Sequence, residues 1–246
     1  MALEIQERDT RILKFVFACK VASYPQIVRR CFSGTDKSAA YRRIRKLCDD
    51  GYLRSSVATR QANEIKYVET TEKAWKAIRE QWSFEVDRPH YRSESPLHDL
   101  RLNEVLFRFE KLNCFRSFYT ENLLQSSSAL AQEPNLRDLA KLQADGAMTV
   151  VGPDNRILTY GIELESSKKT PERYREKVAS YYLARRIRGV IYICSEQEIL
   201  NSLARIDTEV RGENKSFLFT ALESEVLKSE GKMFFKSTQE HGIELI

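Results

Sequence analysis

The chain has no apolar run approaching the roughly 20 residues that a membrane-spanning helix needs, which excludes a helical transmembrane protein. Its charged N-terminus, MALEIQERDTR, lacks the apolar segment of a signal peptide, so a cytoplasmic protein without a membrane partner is expected. Cysteine is sparse. The five thiols, at positions 19, 31, 48, 114 and 194, are odd in number, widely spaced and set in apolar surroundings, which fits reduced core residues rather than disulfides. The three histidines are scattered, so no zinc-ligand spacing exists and zinc-finger classes are excluded. No internal repeat is evident.

What is present is an uneven charge. The whole chain carries +5, and residues 1–90 hold 18 Lys/Arg against 12 Asp/Glu while the remainder holds 22 against 23. The basic surplus therefore sits in the N-terminal part, as expected of a segment that meets a polyanion, although solubility alone also produces such asymmetry.

That part reads as helices followed by a hairpin. Apolar spacing through Ile12, Leu13, Phe15, Val16 and Cys19 predicts a helix over about 7–20. Ser23, with Pro25 behind it, caps a second. A third covers about 36–50 and stops at Gly51, with Ala40, Ile44 and Leu47 as its buried stripe. Two strands, about 52–57 and 64–69, and a helix over 70–82 complete it. Three helices, a basic third one and a hairpin make a winged helix-turn-helix, with the third helix as the element that enters the major groove of double-stranded DNA. Ser38, Tyr41, Arg42 and Arg45 are the candidates to reach bases, and Lys37 shares their exposed face. Arg43 and Lys46, with Arg54, Arg60 and Lys66 of the hairpin, are the candidate phosphate contacts. The plainer alternative is a winged helix used only for protein contacts.

The second half is organised around DGAMTVVGPDNRILTYGIELE, residues 145–165. GPDN is turn chemistry, so the stretch predicts a hairpin. From Ile157 onward the residues alternate, which puts Glu163 and Glu165 on one face, with Asp145 opening the partner strand. Three acids brought together in this way suit a hard divalent cation, Mg²⁺ or Mn²⁺, held by Asp145, Glu163 and Glu165. Solvated glutamates on an edge strand are the alternative. Around the hairpin the pattern predicts a helix over 98–112 and a strand over 115–121. It then gives a helix over about 171–187, a doubly buried strand GVIYIC at 189–194, and a further helix opened by a Ser195/Glu198 capping box. Residues 122–140 read as a polar insertion, either a flap, a DNA-contacting loop or a plain disordered loop. The tail from 206 offers a strand-like FLFTA and no functional reading.

The order helix, strand, strand, strand, helix, strand, with Ala144-Asp145 opening the second strand and Glu163-Leu164-Glu165 closing the third, resembles the PD-(D/E)XK nuclease fold. Glu165 stands where that motif has its lysine. Some type II restriction enzymes are similar in using Glu-x-Glu, and Lys177, or Lys168 and Lys169, offers the missing charge. The resemblance implies Asp145, Glu163, Glu165 and Lys177 as catalytic residues. Taken with ERDTRILKFV, HDLRLNEVLF and the K-x-x-x-Y of Lys177 and Tyr181, the chain resembles the replication-relaxation family of plasmid and mobile-element proteins, His98 and Asn103 being further matching positions. That likeness implies DNA binding linked to replication or mobilisation.

The expected architecture is mixed α/β: a winged helix-turn-helix over 1–84, a linker over 85–97 and a restriction-endonuclease-like αβββαβ domain over 98–246. A homodimer is the expected assembly. Two functions follow: a metal-dependent DNA endonuclease or nickase, or a regulator or replication accessory factor whose nuclease fold serves for dimerisation or DNA grip.

Overall fold

A computed structural model describes residues 4–60, 63–88, 93–184, 186–239 and 242–246, with the side chains of Arg60 and Asn63 outside the description. The protein is mixed α/β and divides into two compact units, residues 1–103 with 125–129, and residues 104–124 with 130–246.

In the first unit, α1 (Glu7–Ala18) starts where Gln6 N–H donates to Asp9 Oδ2 at 2.9 Å, and it buries Ile12, Leu13, Phe15, Val16 and Phe17. The chain reverses at Lys20, whose φ of 62° is left-handed, and enters β1 (Val21–Ser23). This three-residue strand is too short to announce itself by alternation, and the sequence reading misses it. Ser23 then caps α2 (Tyr24–Cys31): Gln26 N–H donates to Ser23 Oγ at 3.4 Å and Ser23 N–H to the Gln26 side chain at 3.0 Å. α3 (Lys37–Asp49) is capped by Asp36, which accepts from Ala39 N–H at 2.9 Å, and closes at Gly51, where φ is 73°. Its stripe Ala40, Ile44 and Leu47 is fully buried, as the spacing of four and three requires.

β2 (Leu53–Arg60) and β3 (Asn63–Thr70) pair antiparallel from Leu53↔Thr70 to Arg60↔Asn63, and β1 adds to the far side of β3, giving the order β1-β3-β2. α4 (Glu72–Ile78) is shorter than the expected 70–82 because Thr70 belongs to the strand, Thr71 is the cap and Arg79–Gln81 tightens into a 3₁₀ turn. Of the expected linker, 89–92 lie outside the described residues; Val86 and Ser93 are buried, and Pro96 already opens α5 (Pro96–Phe109).

The second unit is built on a seven-stranded sheet. β4 (Phe115–Thr120) is followed by three short helices, α6 (Glu121–Ser126), α7 (Ser128–Gln132) and α8 (Arg137–Lys141). This corrects the expectation of a polar flap or loop over 122–140: Leu123, Leu124, Leu130, Leu136 and Leu139 are buried, and their burial outweighs the polar residues between them. β5 (Gly146–Val151) and β6 (Ile157–Glu165) form the expected hairpin, with Val151↔Ile157 at its tip and Asn155 at a φ of 60° in the turn.

α9 (Pro171–Tyr182) crosses over to β7 (Gly189–Cys194), which runs parallel to β6 and is buried at all six positions, the burial a central parallel strand demands. α10 (Gln197–Arg211) starts later than the capping-box reading placed it. Ser195 is spent otherwise, donating its N–H to Glu165 O at 3.0 Å and its hydroxyl to Ser166 O at 3.2 Å. The tail completes the sheet through β8 (Leu218–Leu222), α11 (Glu223–Lys228), β9 (Met233–Ser237) and β10 (Gly242–Leu245), in the order β10-β9-β8-β7-β6-β5-β4.

Candidate functional site

Among the described residues the candidate side chains gather in two clusters, one in each unit. In the first unit, burial of the α3 stripe leaves Lys37, Ser38, Arg42, Arg45 and Lys46 exposed on the opposite side. Tyr41 is half-buried, its ring edge-on to Tyr24 at 5.4 Å. Arg43 differs from its neighbours, because its Nε donates to Asp9 Oδ1 at 2.8 Å and its Nη2 to Asp9 Oδ2. Asp9 is fully buried, and hydrogen bonding to it holds the Arg43 guanidinium above its ordinary pKa. In the hairpin, Arg54 grips the buried Glu69. The register puts this pair on one face of the hairpin and Lys66, opposite Val57, on the other. The Arg60 side chain lies outside the described residues. Asn103 is also buried in this unit, donating to Val21 O at 2.9 Å, and His98 Nδ1 lies 3.3 Å from Asp99 Oδ1. Both make these contacts within the first unit.

The acids of the second unit gather at one end of the β5–β6 hairpin. Asp145 stands just before β5 and accepts from Leu164 N–H at 2.7 Å, which fastens the start of one strand to the end of the next. Glu163 takes two donors on a single oxygen: Tyr181 Oη donates to Oε1, and Lys177 Nζ stands 3.1 Å from it. Lys177 and Tyr181 are one turn apart on α9, a helix that Thr170 caps and Pro171 opens. Lys177 also donates to Leu142 O at 2.6 Å. Gly161, on the same strand face as Glu163, leaves room for Leu139, since a Cβ there would lie 2.8 Å from Leu139 Cδ2. Lys169 Nζ lies 3.4 Å from Glu165 Oε1, whereas Lys168 pairs with Glu198.

Burial, and after it the charge of Asp145, pushes the Glu163 carboxyl up to about 8, against the opposing pull of Lys177 and Tyr181. Burial likewise raises Glu165, with Lys169 pulling the other way. Among the described residues, no group of three or more His, Cys, Asp or Glu side chains is drawn together tightly enough to cage a metal ion. Mg²⁺ does not need a cage, since one or two carboxylates with retained waters hold it. Asp145 with Glu163 fits that donor set, and Glu165 lies two residues along the same face.

The sequence reading missed two residues here. Asp9 is one: an acid in the first turn of a helix looks like an ordinary cap, and only the fold brings Arg43 to it. Tyr192 is the other. It lies beside Glu163 in the parallel β6–β7 ladder, and its status as the lone hydroxyl in GVIYIC was the available signal. No known protein family, no curated protein and no solved structure matches the chain.

Proposed function

We propose that the protein binds duplex DNA through the first unit and carries in the second a PD-(D/E)XK-like domain that cleaves or nicks DNA with Mg²⁺ or Mn²⁺. The observation that carries the reading is the face of α3, where Lys37, Ser38, Arg42, Arg45 and Lys46 are exposed over a fully buried apolar stripe. The succession α1, β1, α2, α3, β2, β3 with the sheet order β1-β3-β2 supports a winged helix-turn-helix. In the second unit the antiparallel β4-β5-β6, the crossover α9 and the parallel β7 support the nuclease-like reading. Asp145 and Glu163 stand at the strand ends where that fold carries its acids.

A divalent ion there would polarise a phosphodiester and activate a water. Asp145 and Glu163 would hold it, Glu165 would add charge or accept a proton, and Lys177 would steady a phosphate oxygen. The resemblance to the replication-relaxation family directs the proposal toward replication or mobilisation of a plasmid or mobile element, with a homodimer on the DNA.

A second reading is favoured by one observation. Lys177 and Lys169 already stand on the two glutamates, which is what a regulator or accessory factor with a silent nuclease fold would show. The experiment that separates them incubates supercoiled plasmid with the full chain and Mg²⁺ or Mn²⁺, beside the Asp145→Asn variant. Relaxed plasmid from the wild type and none from the variant is the expected result, because the amide keeps the shape and loses the charge. Plasmid retained by both proteins and cut by neither would leave the regulator.

A further inference from the structure

Tyr192 is 1% exposed, and its hydroxyl has no hydrogen-bond partner among the described residues. Buried hydroxyls are nearly always satisfied, since leaving one unpaired forfeits its hydration without return, and an orphan in a polar setting marks the place of a water or ligand. The setting is polar on one side. In the parallel ladder Tyr192 is the direct partner of Glu163, so both side chains leave the sheet by the same face, the face that also carries Glu165. Tyr181 packs edge-on against Tyr192, with centroids 6.4 Å apart and an interplanar angle of 89°. The two tyrosines are used differently: Tyr181 spends its hydroxyl on Glu163, and Tyr192 spends its own on no described protein atom. Burial, then the charges of Glu163, Glu165 and Asp145, hold the Tyr192 phenol well above its ordinary range.

We propose that Tyr192 is a positioning residue whose hydroxyl donates to a water carried by a divalent cation bound beside Glu163. The inference rests on the metal reading given above and adds to it a residue on the floor of the site. A donor to a cation's hydration shell would orient that water, in the manner of outer-shell partners whose loss weakens metal sites about 10- to 100-fold.

The test is a calorimetric titration of the full chain with Mn²⁺ and with Mg²⁺, paired with melting curves in the presence and absence of each metal, for wild type and Tyr192→Phe. The variant keeps the ring that packs on Tyr181 and deletes an unsatisfied group, so its metal-free melting temperature is expected to equal or exceed that of wild type. Its affinity for the cation should fall about 10- to 100-fold, and its metal-induced rise in melting temperature should shrink accordingly. A purely structural hydroxyl would lower the metal-free melting temperature on removal and leave the affinity alone. If wild type and Tyr192→Phe bind the cation equally, the role of Tyr192 is overturned while the metal reading stands. If wild type itself binds neither metal, the metal reading falls and takes the inference with it.

Discussion

Replacing Arg43 with alanine is expected to cost the first unit on the order of 3 to 5 kcal/mol, the penalty for leaving a buried carboxylate without its counter-charge. Asp9 is fully buried, and Arg43 meets it with two nitrogens on two oxygens, the forked geometry that guanidinium supplies and ammonium does not. Arg43→Lys should therefore recover only part of the loss. Arg42→Ala, one position away on the exposed face, should stay within about 0.5 kcal/mol of wild type. Both tryptophans of the chain, Trp75 and Trp82, belong to the first unit, so tryptophan emission during urea unfolding reports this unit alone. An Arg43→Ala transition superimposed on wild type would make Arg43 a surface cation again and return it to the phosphate contacts.

The second large effect concerns Glu163. Its carboxyl sits near 8 in the folded protein against an ordinary value of 4.5, so the folded state holds a proton that the unfolded state releases. Below about 4.5 both states are protonated and the group contributes nothing. As pH rises from there toward 8, stability falls; above 8 the full penalty persists. Because each tenfold difference in proton affinity is worth about 1.36 kcal/mol, the loss is roughly 3 to 5 kcal/mol. Burial and the charge of Asp145 drive it, and Lys177 and Tyr181 offset only part. Glu163→Gln keeps the shape of the protonated acid and should remove this pH dependence, melting like wild type near pH 5 and higher than wild type above pH 8. Metal-free calorimetry across that range measures it. A variant less stable than wild type at pH 8 would show that Lys177 and Tyr181 hold Glu163 as a carboxylate.

Much of this was legible before the fold, for reasons that can be traced to particular residues. The stripe Ala40, Ile44 and Leu47 predicts which side of α3 is hidden, and through it which cations are outside. The turn at 152–155 and the alternation from Ile157 predict the hairpin and the shared face of the two glutamates. What periodicity does not carry is long-range pairing. Arg43 reads as one more cation in a basic run until the first turn of α1 brings Asp9 against it. Tyr192 reads as part of an apolar strand until the β6–β7 register sets it beside Glu163. The leucines of 122–140 were hidden by the SSS run and the turn-like EPN, although their burial decides the local structure. In each case a local pattern was overruled by a partner distant in sequence.

The central claim, that the exposed face of α3 docks on the phosphate backbone and grooves of DNA, is tested most directly by salt. Fluorescence anisotropy of a labelled mixed-sequence duplex with the full chain, repeated across ionic strength, gives the slope of log affinity against log salt. The account predicts a steep negative slope, with about 0.9 for each phosphate contact. A variant carrying glutamine at Lys37, Arg42, Arg45 and Lys46 should bind more weakly and with a slope flatter by about that amount for each contact removed. Binding indifferent to salt, or a variant that matches wild type in affinity and slope, would contradict it.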